Sequence, residues 1–329
     1  MIVILKLLQR NKPLKSGFDY YIKTFYHVIN TSATIGSKLL DDLVNNELYL
    51  GSEQMYKNTT ISDCIWHNID DTCSDDVSII LYANRRREVL NPRDKNWLQN
   101  SAYNPRKKNV VLIHGYASGD QDPPFAVLRR AYERTGRYNV FLVDYSSLNR
   151  PPCYVSAVNN LRYVARCVGN YLNGLRANGL HVDKLTCTGH SLGAITCGLL
   201  RNHLQFQLNK IIALDPAWPL IIGDLRLTKS SARVVHVLQT NAGHYGQLGP
   251  IGHVNVCVNS GYIQPYCFGT RHPHLCSHIR SLCYMAQSLF PHKKPLTAKK
   301  CFTFCPNLGI FKFMIKSEEI KVINNVPPT

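Results

Sequence analysis

The residue types that could do chemistry concentrate at Gly189-His190-Ser191-Leu192-Gly193, a G-x-S-x-G stretch between the apolar run Leu185 to Thr188 and a small-residue run reaching Leu204. Its two glycines permit a tight strand-to-helix turn, which lifts the Ser191 hydroxyl above a sheet edge. The helix that follows aims its N-terminus at the same place, where backbone N–H groups and the dipole favour negative charge. A serine hydroxyl is a poor nucleophile until a base takes its proton. That base needs a third group to hold its tautomer and stabilise its positive charge. An acyl-transfer intermediate also carries an oxyanion, which two preorganised N–H groups typically hold.

Candidates for each role follow from position. Asp215 and Asp224 both follow Ser191; Asp215 ends the apolar run Lys210 to Leu214 and precedes Pro216, whereas Asp224 lies in a polar stretch. Asp215 is therefore the better acid. Asp144 also ends an apolar run but precedes the serine, and reads as a structural acid. His278 is the better base, just past Cys276 at the start of a core-facing helix, with His272 and His274 as rivals. The backbone N–H of Leu192 follows from the turn as one oxyanion donor, and the N–H of Tyr116, after His114-Gly115, is the other. His272-Pro273-His274-Leu275-Cys276-Ser277-His278 carries metal-ligand residue types, but no distant ligand pair completes a zinc site, so no metal is expected.

The elements that must hold these groups alternate. Strands are predicted over 77–83, 109–113, 138–143, 185–188 and 210–214, with helices over 125–135, 155–175 and 191–204 between the later ones. Two more strands are expected over 233–239 and 253–258, then a helix over 279–290. Short strands apolar on both faces, separated by helices, argue for an α/β fold with a mainly parallel sheet covered by helices. In such sheets the chemistry sits at the carboxyl ends of strands, where His114, Ser191 and Asp215 all fall.

Composition bounds the rest. The chain has 329 residues, is 45% hydrophobic and lacks an apolar run long enough to span a bilayer. Residues 1–72 read as a leader and an irregular N-terminal segment, 73–290 as one catalytic domain, and 291–329 as a short basic tail without a separate lipid-binding domain. The start, MIVILKLLQRNKP, resembles a shortened signal peptide. Twelve cysteines and the acceptor sequons at Asn30 and Asn58 point to a secreted protein. The formal net charge of +17 favours anionic partners, with clusters at Arg85-Arg86-Arg87, Arg106-Lys107-Lys108 and Lys293 to Lys300. There is no zinc-finger spacing or aromatic–basic module, so nucleic acid is not an expected partner.

Taken together, these residues resemble the pancreatic-lipase family, most of all its insect phospholipase A1 branch. The matching pieces run in order over about residues 73–290: VVLIHGY (110–116), FLVDY (141–145), GHSLGA (189–194), ALDPAWP (213–219), NAG-x-x-GQLGPIGHVN (241–255), QP-x-C (264–267) and CSHIR (276–280). The resemblance implies an α/β-hydrolase fold, with Ser191, Asp215 and His278 as the catalytic residues and Tyr116 and Leu192 as the oxyanion donors. It implies neither metal nor cofactor, and a lipid substrate met at a membrane or micelle surface. It also implies that Cys73 pairs with Cys153 and Cys267 with Cys276. Ala213 and Trp218 stand where the family usually has glycines, so an altered turn near Asp215 is expected. Cys283, Cys301 and Cys305 do not follow the family's pattern. The resemblance puts the family's lid at about 241–252; its shortness favours phospholipase A1 action, releasing the sn-1 fatty acid. Hydrolysis of neutral glycerides or galactolipids is the nearest alternative. A catalytically impaired lipid-binding or storage protein on the same fold is the other.

Overall fold

The structure, a computed structural model, describes residues 60–290 and the short antiparallel strands Thr297–Lys299 and Glu319–Lys321. The leader, both sequons and most of the basic tail lie outside the described residues. In chain order the elements that matter are β1 (Ser78–Ala83), β2 (Arg86–Val89), the one-turn α1 (Trp97–Asn100), β3 (Lys108–Ile113), α2 (Pro123–Arg134) and β4 (Tyr138–Asp144). Then come α3 (Tyr154–Ala177), β5 (Leu185–His190), α4 (Leu192–Leu199), β6 (Lys210–Leu214), β7 (Val234–Gln239), β8 (Val254–Cys257) and α5 (Pro273–Ser288). None of the described helices is long and apolar enough to cross a membrane.

The eight strands form one sheet in the order β2-β1-β4-β3-β5-β6-β7-β8. The strands from β4 to β8 in that order pair in parallel, while β1 is antiparallel to both β2 and β4. Period-2 alternation divides the apolar strand residues between the two faces. Val110, Leu112, Val140, Leu142, Ile212, Leu214 and Leu238 pack against Phe125, Leu128 and Tyr132 of α2 and Leu282, Met285 and Ala286 of α5. Val111, Ile113, Phe141 and Val143 point the other way, equally buried, to the side of α3 and α4. Burial on both faces is why these strands read as continuous apolar runs.

Two boundaries differ from the sequence reading. The last helix begins at Pro273 rather than at 279, because a proline in the first turn presets the helical φ and its missing N–H costs nothing there. Residues 60–72, assigned to the irregular N-terminal segment, are part of the folded body. His67 stacks on Tyr163 of α3 with ring centroids 4.0 Å apart, and the buried Asn160 donates to the Ile65 carbonyl at 2.9 Å.

That segment also corrects a disulfide. Cys73 pairs with Cys167, and Cys153 pairs with Cys64, with Cα separations of 5.6 and 5.4 Å. The expected Cys73–Cys153 bridge does not form. Cys153 caps α3 and Cys167 lies 14 residues further along it, roughly 21 Å at the helical rise, far beyond the reach of one disulfide. The segment runs alongside the helix and is stapled at both places. Cys267 and Cys276 are bridged, as the resemblance implied. A fourth bridge, Cys187–Cys197, joins β5 to α4 and was not anticipated.

Candidate active site

Ser191 occupies the single residue between β5 and α4, at φ 55° and ψ −122°. A non-glycine residue at positive φ is strained, and such strain persists only where the surroundings enforce it. Here they do. The Ser191 N–H donates to the Leu214 carbonyl at 3.1 Å, and the Ser191 carbonyl accepts from the Ala217 N–H at 3.2 Å. A Cβ on Gly189 would overlap the Gly193 carbonyl, and one on Gly193 would overlap the Ile113 carbonyl, so both positions of the motif require glycine for close backbone approach. The Cys187–Cys197 bridge closes over the turn, both cysteines wholly buried.

Asp215 follows β6 and is also at positive φ, 42°. Its carboxylate is fully buried. Oδ1 accepts from the backbone N–H groups of Thr240 and Asn241 at 2.8 and 2.9 Å, while Oδ2 lies 2.6 Å from His278 Nδ1. This network assigns the proton to Nδ1 and leaves Nε2 of His278 as an acceptor. The departures at Ala213 and Trp218 leave the turn closed: the Asp215 N–H donates to the Leu238 carbonyl, and the Trp218 N–H to the Tyr245 carbonyl. Ser191 and His278 are 7% and 5% exposed. The Ser191 hydroxyl itself makes no hydrogen bond among the described residues, and catalytic hydrogen bonds often tighten only when substrate is bound.

His278 is in the second turn of α5 rather than at its start. The Cys267–Cys276 bridge ends just before it, and buried Ser277 fastens the helix by accepting from the Gln264 N–H at 2.9 Å. His190 packs 4.6 Å from the His278 ring. Burial, and then the neighbouring His278 charge, hold the His190 imidazole well below its ordinary value, which favours its neutral form beside His278.

The rival residues are used elsewhere. Asp144 faces His114 Nε2 at 3.4 Å. Burial opposes the Asp144 charge, but the His114 hydrogen bond and charge and the Ser146 bonds outweigh it, bringing its carboxyl down to about 2. Asp224 is exposed and forms an ion pair with Arg162. His274 stacks on His244 at 3.7 Å. Cys276 is in a disulfide and so is not available as a metal ligand.

Leu192 opens α4, with its N–H beside Ser191. The turn that carries Tyr116 lies directly against the serine, since a Cβ on Gly115 would come within 2.7 Å of Ser191 Cβ. Sequence reasoning missed what holds this turn. Asn149 Nδ2 donates to the Gly115 carbonyl at 2.8 Å, the Ala117 N–H donates to the Asn149 carbonyl, and the Tyr145 hydroxyl donates to the His114 carbonyl at 2.7 Å. Tyr145 belonged to a quoted motif; nothing in the pattern around Asn149 marked it out.

The loop expected to be a lid, about 241–252, is a brace instead. Asn241, Ala242, Tyr245 and Gln247 are buried, and the Gln247 N–H donates to the Pro216 carbonyl at 2.8 Å. Gly246 lies so close to the Asp215 carboxylate that any side chain would collide with it. The buried residues and backbone bonds of this segment pack it against the turn that carries Asp215. The disulfide-closed Cys267–Cys276 loop, which precedes His278, carries Phe268 at 66% exposed.

A parallel sheet covered on both faces, with a serine at a strained strand–helix turn and a buried Asp–His pair beside it, defines an α/β hydrolase. The chain belongs to the lipase family: residues 47–306 match that family's sequence profile, described as Lipase. It is 26% identical over 271 residues to pancreatic triacylglycerol lipase of Sus scrofa, covering 71% of this chain and 60% of that protein. It is 30% identical over 217 residues to phospholipase A1 member A of Rattus norvegicus, covering 63% and 47%. The chain thus spans about half to three-fifths of the length of these relatives. Among solved structures, a phospholipase/carboxylesterase from Dyadobacter fermentans overlaps 54% of this chain and 79% of its own, at 17% identity and a TM-score of 0.33.

Proposed function

We propose that this chain is a secreted serine hydrolase of lipid esters, releasing the sn-1 fatty acid of glycerophospholipids as a phospholipase A1. The observation that carries the reading is the 2.6 Å contact between His278 Nδ1 and a fully buried Asp215 carboxylate, beside a serine held at a strained turn. His278 takes the Ser191 proton through Nε2 as Oγ attacks the ester carbonyl. The N–H groups of Tyr116 and Leu192 hold the oxyanion of the tetrahedral intermediate. His278 then gives its proton to the departing lysophospholipid alkoxide, and water, activated by the same histidine, releases the fatty acid from Ser191. Asp215 stays ionised throughout and stabilises the imidazolium.

Two observations support a lipid surface as the substrate's source. Phe268 and Leu248, 66% and 43% exposed, lie on loops at the same sheet edge as Ser191. The loop that precedes His278 is short, with Cys267 and Cys276 only 9 residues apart in sequence, and a short loop there favours a substrate with a polar headgroup. The similarity to a triacylglycerol lipase keeps neutral glycerides as the second reading.

Position-labelled phospholipid in mixed micelles, assayed beside triacylglycerol, tests both. Fatty acid released first from sn-1, with slower triacylglycerol turnover and no loss on chelation, is the expected result. Release from sn-2 alone, or full activity in Ser191→Ala, overturns the assignment, and faster triacylglycerol turnover selects the second reading.

A further inference from the structure

We infer, on the reading of Ser191, His278 and Asp215 as a hydrolytic triad, that His274 is a positioning residue for the acid. It acts through Asn241, and only while its own imidazole is neutral. Asn241 is a buried node between the two side chains. Its backbone N–H is one of the two donors that pin Asp215 Oδ1, at 2.9 Å. Its side-chain Oδ1 accepts from the Tyr245 N–H at 3.1 Å, which identifies Nδ2 as the donating end of the amide. Nδ2 donates to the Tyr262 carbonyl at 2.8 Å and to His274 Nδ1 at 3.0 Å. An amide nitrogen has no lone pair to offer, so His274 Nδ1 is the acceptor, and the neutral ring carries its proton on Nε2.

The fold aims and restrains that acceptor. Pro273 opens α5 and puts His274 in its first turn, where the positive end of the helix dipole favours a neutral ring. His244 stacks face to face on the ring, with centroids 3.7 Å apart and planes 7° from parallel, and Tyr262 meets it edge-on at 5.2 Å. The other titratable groups nearby are Tyr245 behind His244, Arg271 and His272 just before His274, and His278 one helical turn on. A proton on Nδ1 would set two donors against each other across 3.0 Å. The Asn241 amide must then turn or withdraw, and this disturbs the backbone N–H that holds Asp215. The tautomer of the base depends on that carboxylate, 2.6 Å from His278 Nδ1. Activity therefore meets two protonations on its acid side. One removes the base itself; the other, at His274, acts without touching substrate.

The test compares the wild type with two variants of the full chain on a soluble short-chain ester, from about pH 5 to about pH 9. His274→Phe keeps a stacking ring and loses the acceptor. His274→Asn places an amide Oδ1 where Nδ1 accepted, and that oxygen does not titrate. At about pH 8, His274→Phe should lower kcat about ten-fold with KM within about two-fold, and His274→Asn should restore kcat to within about three-fold of wild type. Toward acid, the wild-type kcat should fall more steeply than a single protonation allows, whereas His274→Asn should fall with unit slope, set by His278 alone. A side chain that only stabilised the fold would lower the unfolding temperature in both variants while leaving kcat and the slope of the acid limb as in wild type. That result overturns the proposal, and so does a wild-type limb of unit slope. If His274→Phe does not fold, the acid limbs of wild type and His274→Asn decide alone. Fluorophosphonate labelling separates the two levels of failure. Wild type labelled at Ser191, with acid limbs identical to those of His274→Asn, counts against His274 only. Wild type that takes no label at Ser191 removes the triad, and the role of His274 with it.

Discussion

Among the described residues, two of the histidine–aspartate pairs have their aspartate at the carboxyl end of a strand, and the two are built differently. In His278–Asp215 the contact is 2.6 Å through Nδ1, and the other carboxylate oxygen is pinned by two backbone N–H groups. In His114–Asp144 the contact is 3.4 Å through Nε2, and the imidazole is sealed between Tyr145, stacked at 4.3 Å, and Phe125. The first pair leaves a basic nitrogen for a nucleophile. The second spends both nitrogens inside the protein, where Asn149 Nδ2 faces Nδ1 at 3.3 Å, and so fastens the turn leading to Tyr116. A buried histidine beside a carboxylate is therefore not by itself a catalytic base; the nitrogen left over decides.

The sharpest way to break this contrast is to neutralise each acid. Asp215→Asn should lower kcat on the order of 10⁴-fold, because the amide stabilises the wrong tautomer. Asp144→Asn should stay within about ten-fold, since it acts only through the position of a turn. Comparable losses in kcat would erase the distinction. Gly246→Ala comes next in size: its methyl would displace the Asp215 carboxylate, and kcat should fall about 100-fold with little change in KM. A variant with wild-type kcat would mean that the position of the acid is not tightly set.

Smaller effects fall on stability. Replacing Cys187 and Cys197 together by alanine should cost about 3 kcal/mol in denaturant unfolding, from the loop-closure entropy of a 10-residue separation. Urea unfolding at neutral pH measures it, and a loss no greater than for an exposed cysteine would show that the bridge does not hold the turn. Asp144 supplies a pH signature. Its folded carboxyl titrates at about 2 against an ordinary 3.8, so the folded state holds the charged form more firmly. That stabilisation is complete above pH 3.8 and is lost as pH falls toward 2. It amounts to about 2 kcal/mol. Unfolding curves across that window should show it in the wild type and lack it in Asp144→Asn.

What could be read from the chain follows physical lines. Ser191 and the strands were legible because glycine punctuation and two-faced apolar runs are local signals. His278 could be singled out by chain order, but its place inside α5 could not, since Pro273 opens the helix earlier than the apolar period does. The Cys73 pairing went astray because it depends on how residues 60–72 run along α3, which no local pattern records. The loop at 241–252 failed for a similar reason. Glycines and small residues suit a flexible cover and a close-packed brace equally well, and only the Asp215 carboxylate against Gly246 separates the two. Asn149 acts through its side-chain amide and its own backbone carbonyl, contacts that leave no periodic trace.

The central claim is that Ser191 is the nucleophile of this site, activated by His278 and oriented by Asp215. Treating the full chain with a fluorophosphonate and mapping the adduct by peptide mass spectrometry tests it directly. The account predicts a single phosphonylated residue, Ser191, with labelling slowed by orders of magnitude in His278→Ala and absent in Ser191→Ala. An adduct on another residue, or ester hydrolysis that survives intact in Ser191→Ala, would contradict it.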